Sequence, residues 1–279
     1  MPRSLHITSL TNPRIKQVVR LREQRHRRKL GLFIAEGSRE ITRACAAGLP
    51  IVELYHCPEL LDQPGRHDSA AINRLATGLP ADALVAELPA AVFRKIAYVR
   101  EPEGVLAVIP QPTWSWDDLP AAATSPLCLV TVGIEKPGNL GAMVRTADAA
   151  GAAAVVTAGA VVDPFNPNAI RTSTGAVFTL PTIAASEAEA IDRLTTLGYR
   201  IFASTLQQAV PHTDVDFTGP TAIVIGPEDV GLADAWLAAA DRTAGRRVHI
   251  PMHSRTVDSL NAAAAAAILL FEATRQRHR

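Results

Sequence analysis

At 279 residues, with 48% hydrophobic and 20% charged positions, the chain is long enough for two globular domains of roughly 100 to 200 residues each. No apolar run approaches the ~18 residues a membrane span needs, and the first residues, with Arg3, His6, Arg14 and Lys16, lack the apolar stretch and small-residue cleavage site of an export signal, so the cytoplasm is the expected location. Cys45, Cys57 and Cys128 are odd in number and without CxxC spacing, which argues against a disulfide framework and a zinc site. The net charge of +1 conceals an asymmetry: 16 basic and 11 acidic residues up to Pro112, 12 and 16 after it. The first 30 residues carry nine Lys or Arg against Glu23 alone, which suits either a surface that meets phosphates or a solvated helix face.

Thr11-Asn12-Pro13 is a helix start, a capping residue followed by proline at the first helical position. A cationic helix is expected from Arg14 to Lys29, with Ile15, Val18, Val19 and Leu21 as a partial apolar stripe and Arg20, Arg22, Arg25, Arg27 and Arg28 turned mainly to solvent. A helix from Ser38 to Ala47 stopped by Gly48, a β-rich run from Ile51 to Cys57, Val85 to Leu88, a helix near Ala90 to Tyr98 and Val105 to Ile109 complete a small α/β unit over 1–112. Four prolines from Pro110 to Pro126, Asp117-Asp118 and an Ala/Thr/Ser run place a linker at 113–125. Beyond it, apolar runs at Leu127–Val132, Ala153–Thr157, Val177–Thr182, Arg200–Ser204, Thr221–Ile225 and Arg247–Ile250 read as buried strands. Helical segments such as Asn139–Ala150 and Glu187–Leu197 separate most of them, so 126–279 is expected to be α/β, a mostly parallel sheet with helices on both faces. A last, Ala-rich helix is expected from Asp258 to about Arg277, with a basic end that complements its dipole.

In an open parallel sheet the ligand lies beyond the carboxyl ends of the strands. Three loops there stand out. In the first, Glu135 to Arg145, Asn139 can cap a helix, Gly141 admits a close neighbour, and Arg145 faces the mouth; a plain capped helix with a surface arginine explains the same residues. In the second, Gly226 and Gly231 bracket Glu228 and Asp229, so main-chain amides could meet a ligand while Glu228 accepts hydrogen bonds, or the segment is a turn with a helix-start carboxylate. The third joins Ile250-Pro251-Met252 to Ser259-Leu260-Asn261, either as part of a site or as a buried small-residue helix behind a proline-ended strand. His249 and His253 have no third ligand nearby, so no metal is expected. Phosphate-loop, dinucleotide and nucleophile-elbow motifs are missing.

In this order the three loops resemble those of the SpoU/TrmH family of RNA ribose 2′-O-methyltransferases, within the SPOUT group: Asn139-x-Gly141-x-x-x-Arg145, Gly226-x-Glu228-x-x-Gly231, and Ile250-Pro251-Met252 with Ser259-Leu260-Asn261. Upstream, Phe33-Ile34-Ala35-Glu36-Gly37 before a helix is similar to the ribosomal-protein-like substrate-binding domain that often precedes the catalytic one. The resemblance implies an RNA substrate-binding domain over 1–112 and a knotted catalytic domain over 126–279, with a deep trefoil knot that strand periodicity could not show. It implies S-adenosylmethionine held by Ser204, Thr205, Leu206, Gly226, Pro227, Glu228, Gly231, Ile250, Met252, Ser259, Leu260 and Asn261. Arg145 is implied as the central catalytic residue, assisted by Asn139, Glu228, Ser259 and Asn261. Arg145, Arg171 and Ser173 would meet the RNA together with Arg20, Arg22, Arg25 and Arg28. Homodimers whose sites draw on both subunits are implied as well.

The chemistry asked of these residues is alignment of a ribose 2′-oxygen with a sulfonium methyl and removal of a poorly acidic proton. A guanidinium with a pKa above ~12 is a poor base, so Arg145 reads as a clamp on the adjacent phosphate and a stabiliser of alkoxide charge, leaving an RNA phosphate oxygen or a desolvated Arg145 as proton acceptor. Where many members have a small polar residue after the equivalent of Asn261, this chain runs Ala262 to Ala267, which implies a lost secondary contact. The expected substrate is 23S rRNA, and the chain is similar to members that confer resistance to thiostrepton or avilamycin. Transfer RNA and a non-catalytic RNA-binding module are the alternatives.

Overall fold

The computed structural model describes residues 2–61, 79–159, 161–254, 256 and 259–278. Its chain divides into two units, Met1–Thr113 with Phe165–Phe178, and Trp114–Pro164 with Thr179–Arg279.

In the first unit Asn12 caps helix α1 (Pro13–Arg20) as its sequence suggests, its side chain accepting from the Arg14 amide. The single long basic helix is not formed: α1 ends at Leu21 and a second helix, α2 (Gln24–Leu30), follows. The break has an electrostatic cause, since Arg27, 1% exposed rather than solvated, donates to the carbonyls of Leu21 (2.8 Å) and Arg22 (2.7 Å). A guanidinium thereby satisfies carbonyls that a continuous helix would have paired with amides. Strands β1 (Arg3–His6), β2 (Leu32–Glu36), β3 (Glu53–His56), β4 (Leu84–Glu87) and β5 (Val105–Pro110) form one mixed sheet in the order β1-β4-β3-β5-β2. Helices α3 (Ser38–Ala46), α4 (Pro58–Leu61) and α5 (Ala90–Ile96) are also found here among the described residues.

The stretch 165–178 belongs to this unit because its aromatics finish the core. Phe33 of β2 meets Phe165 and Phe178 at centroid distances of 5.1 and 5.6 Å. The expected strand Val177–Thr182 is therefore replaced by a 3-10 turn at Ala176–Phe178 followed by a strand at Thr182–Ala185. Apolar runs report burial, and here burial is reached by a turn.

The second unit is a seven-stranded sheet, parallel throughout, built from β6 (Leu127–Val132), β7 (Ala154–Ala158), β8 (Thr182–Ala185), β9 (Arg200–Ser204), β10 (Val210–Pro211), β11 (Thr221–Ile225) and β12 (Arg246–His249) in the order β10-β12-β9-β11-β6-β7-β8. Helices α6 (Pro137–Ala149) and α10 (Ala262–Arg277) pack together against the central strands, while α8 (Glu187–Thr196) and α9 (Asp234–Arg242) pack against β9 and each other. The remaining helix, α7 (Pro167–Ser173), lies in the first unit. Trp236 of α9 is fully buried and donates from Nε1 to Glu187 at 2.9 Å. The stretch expected as a linker is a strap of this unit: Trp114 and Trp116 pack on its core, and Tyr199 donates to the Pro120 carbonyl at 2.8 Å. Asp258, the expected start of the last helix, lies outside the described residues; α10 begins at Ala262 with Asn261 as its cap.

Candidate active site

The carboxyl ends of β9, β11 and β12 open onto a cavity of about 320 Å³. Its walls are the segment Ser204–Gln207 after β9, Ile225–Gly231 after β11, and His249, Ile250 and Met252 at the end of β12; Ser259, Leu260 and the small residues Ala262 and Ala265 of α10 close it. Adjacent parallel strands put their loops on one side, which is why segments far apart in sequence share this space. Gly226 sits in a tight place, where a Cβ would lie 3.0 Å from the Gly231 backbone and the Leu232 side chain. Gly231 has φ +68° and donates its amide to the Pro227 carbonyl at 3.2 Å, so the loop folds back on itself. Leu206 and Val230, 72% and 78% exposed, form an apolar rim.

A polar knot of side chains joins all three sequence motifs. Glu228 Oε1 accepts from Asn139 Nδ2 at 3.1 Å, from Asn261 Nδ2 at 2.8 Å and from the Ala262 amide at 3.1 Å. Asn261 also donates to Asn139 Oδ1 at 3.4 Å, and Lys136 Nζ lies 4.0 Å from Glu228 Oε2. With its inner oxygen taken by three donors, Glu228 organises the junction of loop and helix and is poorly placed to act as a base. A second cavity of about 230 Å³, lined by Gly133–Lys136, Asn139 and Pro227–Asp229, adjoins it and shares the 227–229 wall with the first.

Of the residues singled out for the cofactor, Ser204, Thr205, Leu206, Gly226, Pro227, Glu228, Gly231, Ile250, Met252, Ser259 and Leu260 all lie in the wall of the first cavity. Asn261 does not line it and is held through Glu228 and through its cap on α10. Asn139 caps nothing: α6 starts at Pro137 and Lys136 is its cap, which leaves the Asn139 side chain free for Glu228. Arg145, two turns further along α6, is exposed, stands outside both cavities and has no hydrogen-bond or ion-pair partner among the described residues.

Arg20, Arg25 and Arg28 are exposed, as is Arg171 on α7. Arg22 is instead committed to structure, donating to the carbonyls of Lys95 (2.8 Å) and Ala97 at the end of α5. Ser173 cannot border a nucleic acid as placed here: it is fully buried and its hydroxyl donates to the Ile170 carbonyl at 2.8 Å.

Sequence reasoning missed Gln207, His249, Ala262, Ala265 and Lys136. The alanine run was read as a lost contact, yet small side chains let α10 form a cavity wall, and Ala262 reaches Glu228 through its amide. Lys136 lies within the first loop, three residues before Asn139, a position that could have flagged it. Among the described residues no cluster of His, Cys, Asp or Glu could hold a metal ion.

Residues 126–271 match the family model described as SpoU rRNA Methylase family, and residues 12–107 match the MRM3-like substrate binding domain. The 23S rRNA (uridine(2479)-2′-O)-methyltransferase of Streptomyces viridochromogenes is 31% identical, over 99% of this chain and 94% of that protein. A crystal structure of an RNA 2′-O ribose methyltransferase matches with a TM-score of 0.81 and 39% identity, covering 98% of this chain and all (100%) of the other. The SpoU methyltransferase AviRb from Streptomyces viridochromogenes in complex with the cofactor AdoMet matches with a TM-score of 0.84 and 29% identity, over 96% of this chain and 98% of that one.

Proposed function

This chain belongs to the SpoU rRNA methylase family and is an S-adenosylmethionine-dependent RNA ribose 2′-O-methyltransferase, and from that premise we propose that it methylates 23S rRNA with the cofactor in the cavity at the ends of β9, β11 and β12. One observation supports this reading: Glu228, in the wall of that cavity, bonds Asn139 and Asn261, so three distant motifs converge beside it. Its volume of about 320 Å³ and its mix of apolar side chains with loop backbone fit a nucleoside-sized ligand. Leu206, Ile250, Met252 and Leu260 would pack on the adenine, with main-chain groups of 204–206 and 226 meeting its polar edge. When bound, S-adenosylmethionine supplies an electrophilic methyl group.

The chain's own residues supply position and charge. The Asn139–Glu228–Asn261 network fixes the loop that separates the two cavities, so the smaller cavity beside Lys136 and Asn139 becomes the approach for the acceptor nucleotide. The Arg145 guanidinium holds the neighbouring phosphate and stabilises charge growing on the 2′-oxygen. With Glu228 Oε1 taken by three donors and Oε2 facing Lys136, we assign the proton to an oxygen of the RNA backbone.

Arg145 lies outside the cavities of its own chain, and α10, packed beside α6, exposes Ile268 and Phe271. Both features support a homodimer in which each subunit's arginine serves a shared site. The loops that wall the cavity are those we place in the deep trefoil knot. Residues 1–112, with the stretch 165–178 of the same unit, act as the RNA substrate-binding domain, with Arg20, Arg25, Arg28 and Arg171 as exposed cations. The enzyme works in the cytoplasm; among the described residues no helix is long and apolar enough to cross a membrane. The similarity to AviRb supports a role in resistance to a ribosome-directed antibiotic.

The test is methyl transfer from labelled S-adenosylmethionine to purified 23S rRNA and to transfer RNA, with the modified ribose mapped by primer extension at low nucleotide concentration. Label at one 23S ribose is expected, as is protection of a sensitive host expressing the gene. Label confined to transfer RNA, or in neither RNA, refutes the assignment.

A further inference from the structure

The first unit holds a large cavity far from any of the three motifs in sequence, about 630 Å³, between the end of β2, the start of α3, the loop 99–103 ahead of β5, and Arg171 of α7. Seven of its residues are charged, so the question is which charges are free. Glu40 is buried and accepts from Arg39 through Nε at 3.0 Å and Nη2 at 2.7 Å. Glu103 accepts the amide and hydroxyl of Ser38, at 3.0 and 3.1 Å, at the first turn of α3. Glu36 accepts the amides of Tyr98 and Val99, at 2.7 and 3.2 Å, which anchors the loop carrying Arg100. Burial pushes the Glu36 carboxyl up, opposed by those two amides and by the charges of Arg22 and Arg171. Arg100 and Arg171 are left exposed, with no hydrogen-bond or ion-pair partner among the described residues, and Glu101 is the one acid in the wall not engaged by a donor there.

Free guanidinium groups around a concave, nucleotide-sized space select planar and anionic ligands, since arginine forks match phosphate oxygens and their faces stack on bases. We propose that this cavity is a second RNA-contact site, in which Arg100 and Arg171 grip the phosphodiester backbone of an unpaired segment and Glu36 positions the Arg100 loop. The proposal rests on the RNA methyltransferase reading above. The site is built rather than incidental: Gly37, at φ +97°, keeps the wall open where a Cβ would come 3.0 Å from Glu40 Oε2.

The experiment uses the full-length protein and a fluorescein-labelled 23S rRNA fragment that it methylates, with anisotropy recorded across a salt series and methyl transfer measured alongside. Arg100→Ala and Arg171→Ala are each expected to weaken binding roughly tenfold and to lower the slope of log affinity against log salt by about 1. KM for RNA should rise while kcat and calorimetric affinity for S-adenosylmethionine hold. Arg100→Lys should restore the slope but only part of the affinity, because the charge returns without the fork. Unchanged melting temperatures would show that the folded unit is intact. A wild-type protein that methylates rRNA while both alanine variants bind as tightly and with the same slope overturns the site and leaves the activity standing. Displacement of the probe by poly-glutamate but not by unlabelled single-stranded RNA overturns it in favour of an acidic protein partner. A wild-type protein that binds no RNA overturns both readings.

Discussion

Replacing Glu228 by alanine removes one carboxylate oxygen that collects three hydrogen bonds, from Asn139, Asn261 and the Ala262 amide. A hydrogen bond to a charged group in a protein interior contributes about 1.5–3 kcal/mol. The Glu228 side chain is 37% exposed, so water can replace part of each bond, and a discounted figure of about 0.7 kcal/mol per bond gives about 2 kcal/mol in all. For a unit of this size that is a fall of about 4–8 °C in melting temperature. Glu228→Gln keeps an oxygen for the same donors but loses the charge that faces Lys136 at 4.0 Å, so about half that loss is expected. Function should suffer beyond stability, since the 226–231 loop walls the cofactor cavity; calorimetric affinity for S-adenosylmethionine should drop about tenfold in the alanine variant and less in the glutamine variant. An alanine variant that melts within about 0.5 kcal/mol of the wild type and binds the cofactor equally well would refute the view that this carboxylate organises the site.

Arg145→Ala should lower kcat by about 100-fold or more with cofactor affinity intact, because the side chain stands outside the cofactor cavity; unchanged turnover in the labelled-methyl assay would dismiss it as the charge stabiliser. Gly245→Ala would place a Cβ 1.8 Å from the Ile201 carbonyl oxygen, an obstacle no side-chain rotation can relieve, so β9 and β12 must part and a cost above about 4 kcal/mol is expected in denaturant unfolding. Hydrogen bonds from Arg275, and then from Gln276, hold the Glu272 carboxyl at about 2, below its ordinary 4.5. A depressed carboxylate stabilises the fold above pH 4.5 and loses that contribution as pH falls toward 2, so Glu272→Gln should flatten the melting profile across that window and leave it unchanged in slope near neutrality.

Much of the second unit could be read from the chain itself. Apolar runs separated by helical segments announce parallel strands with covered faces, because a strand buried on both sides has no polar alternation. The loops after those strands carry the glycines and polar residues of the site, since close backbone approach limits residue choice locally. Tertiary structure alone decided which groups meet. Asn139, Glu228 and Asn261 bond one another only because β6, β11 and α10 lie side by side, a matter of long-range packing that no local periodicity records. The same holds for Arg27, whose charge predicted solvent until its guanidinium found the carbonyls at the end of α1. Val177 and Phe178 were rightly apolar, but Phe33 and the first unit's core determined that they would be buried in a turn rather than in a strand. Residue type sets what a side chain needs, whether an acceptor, a donor or a dry neighbour; the fold decides which distant segment supplies it.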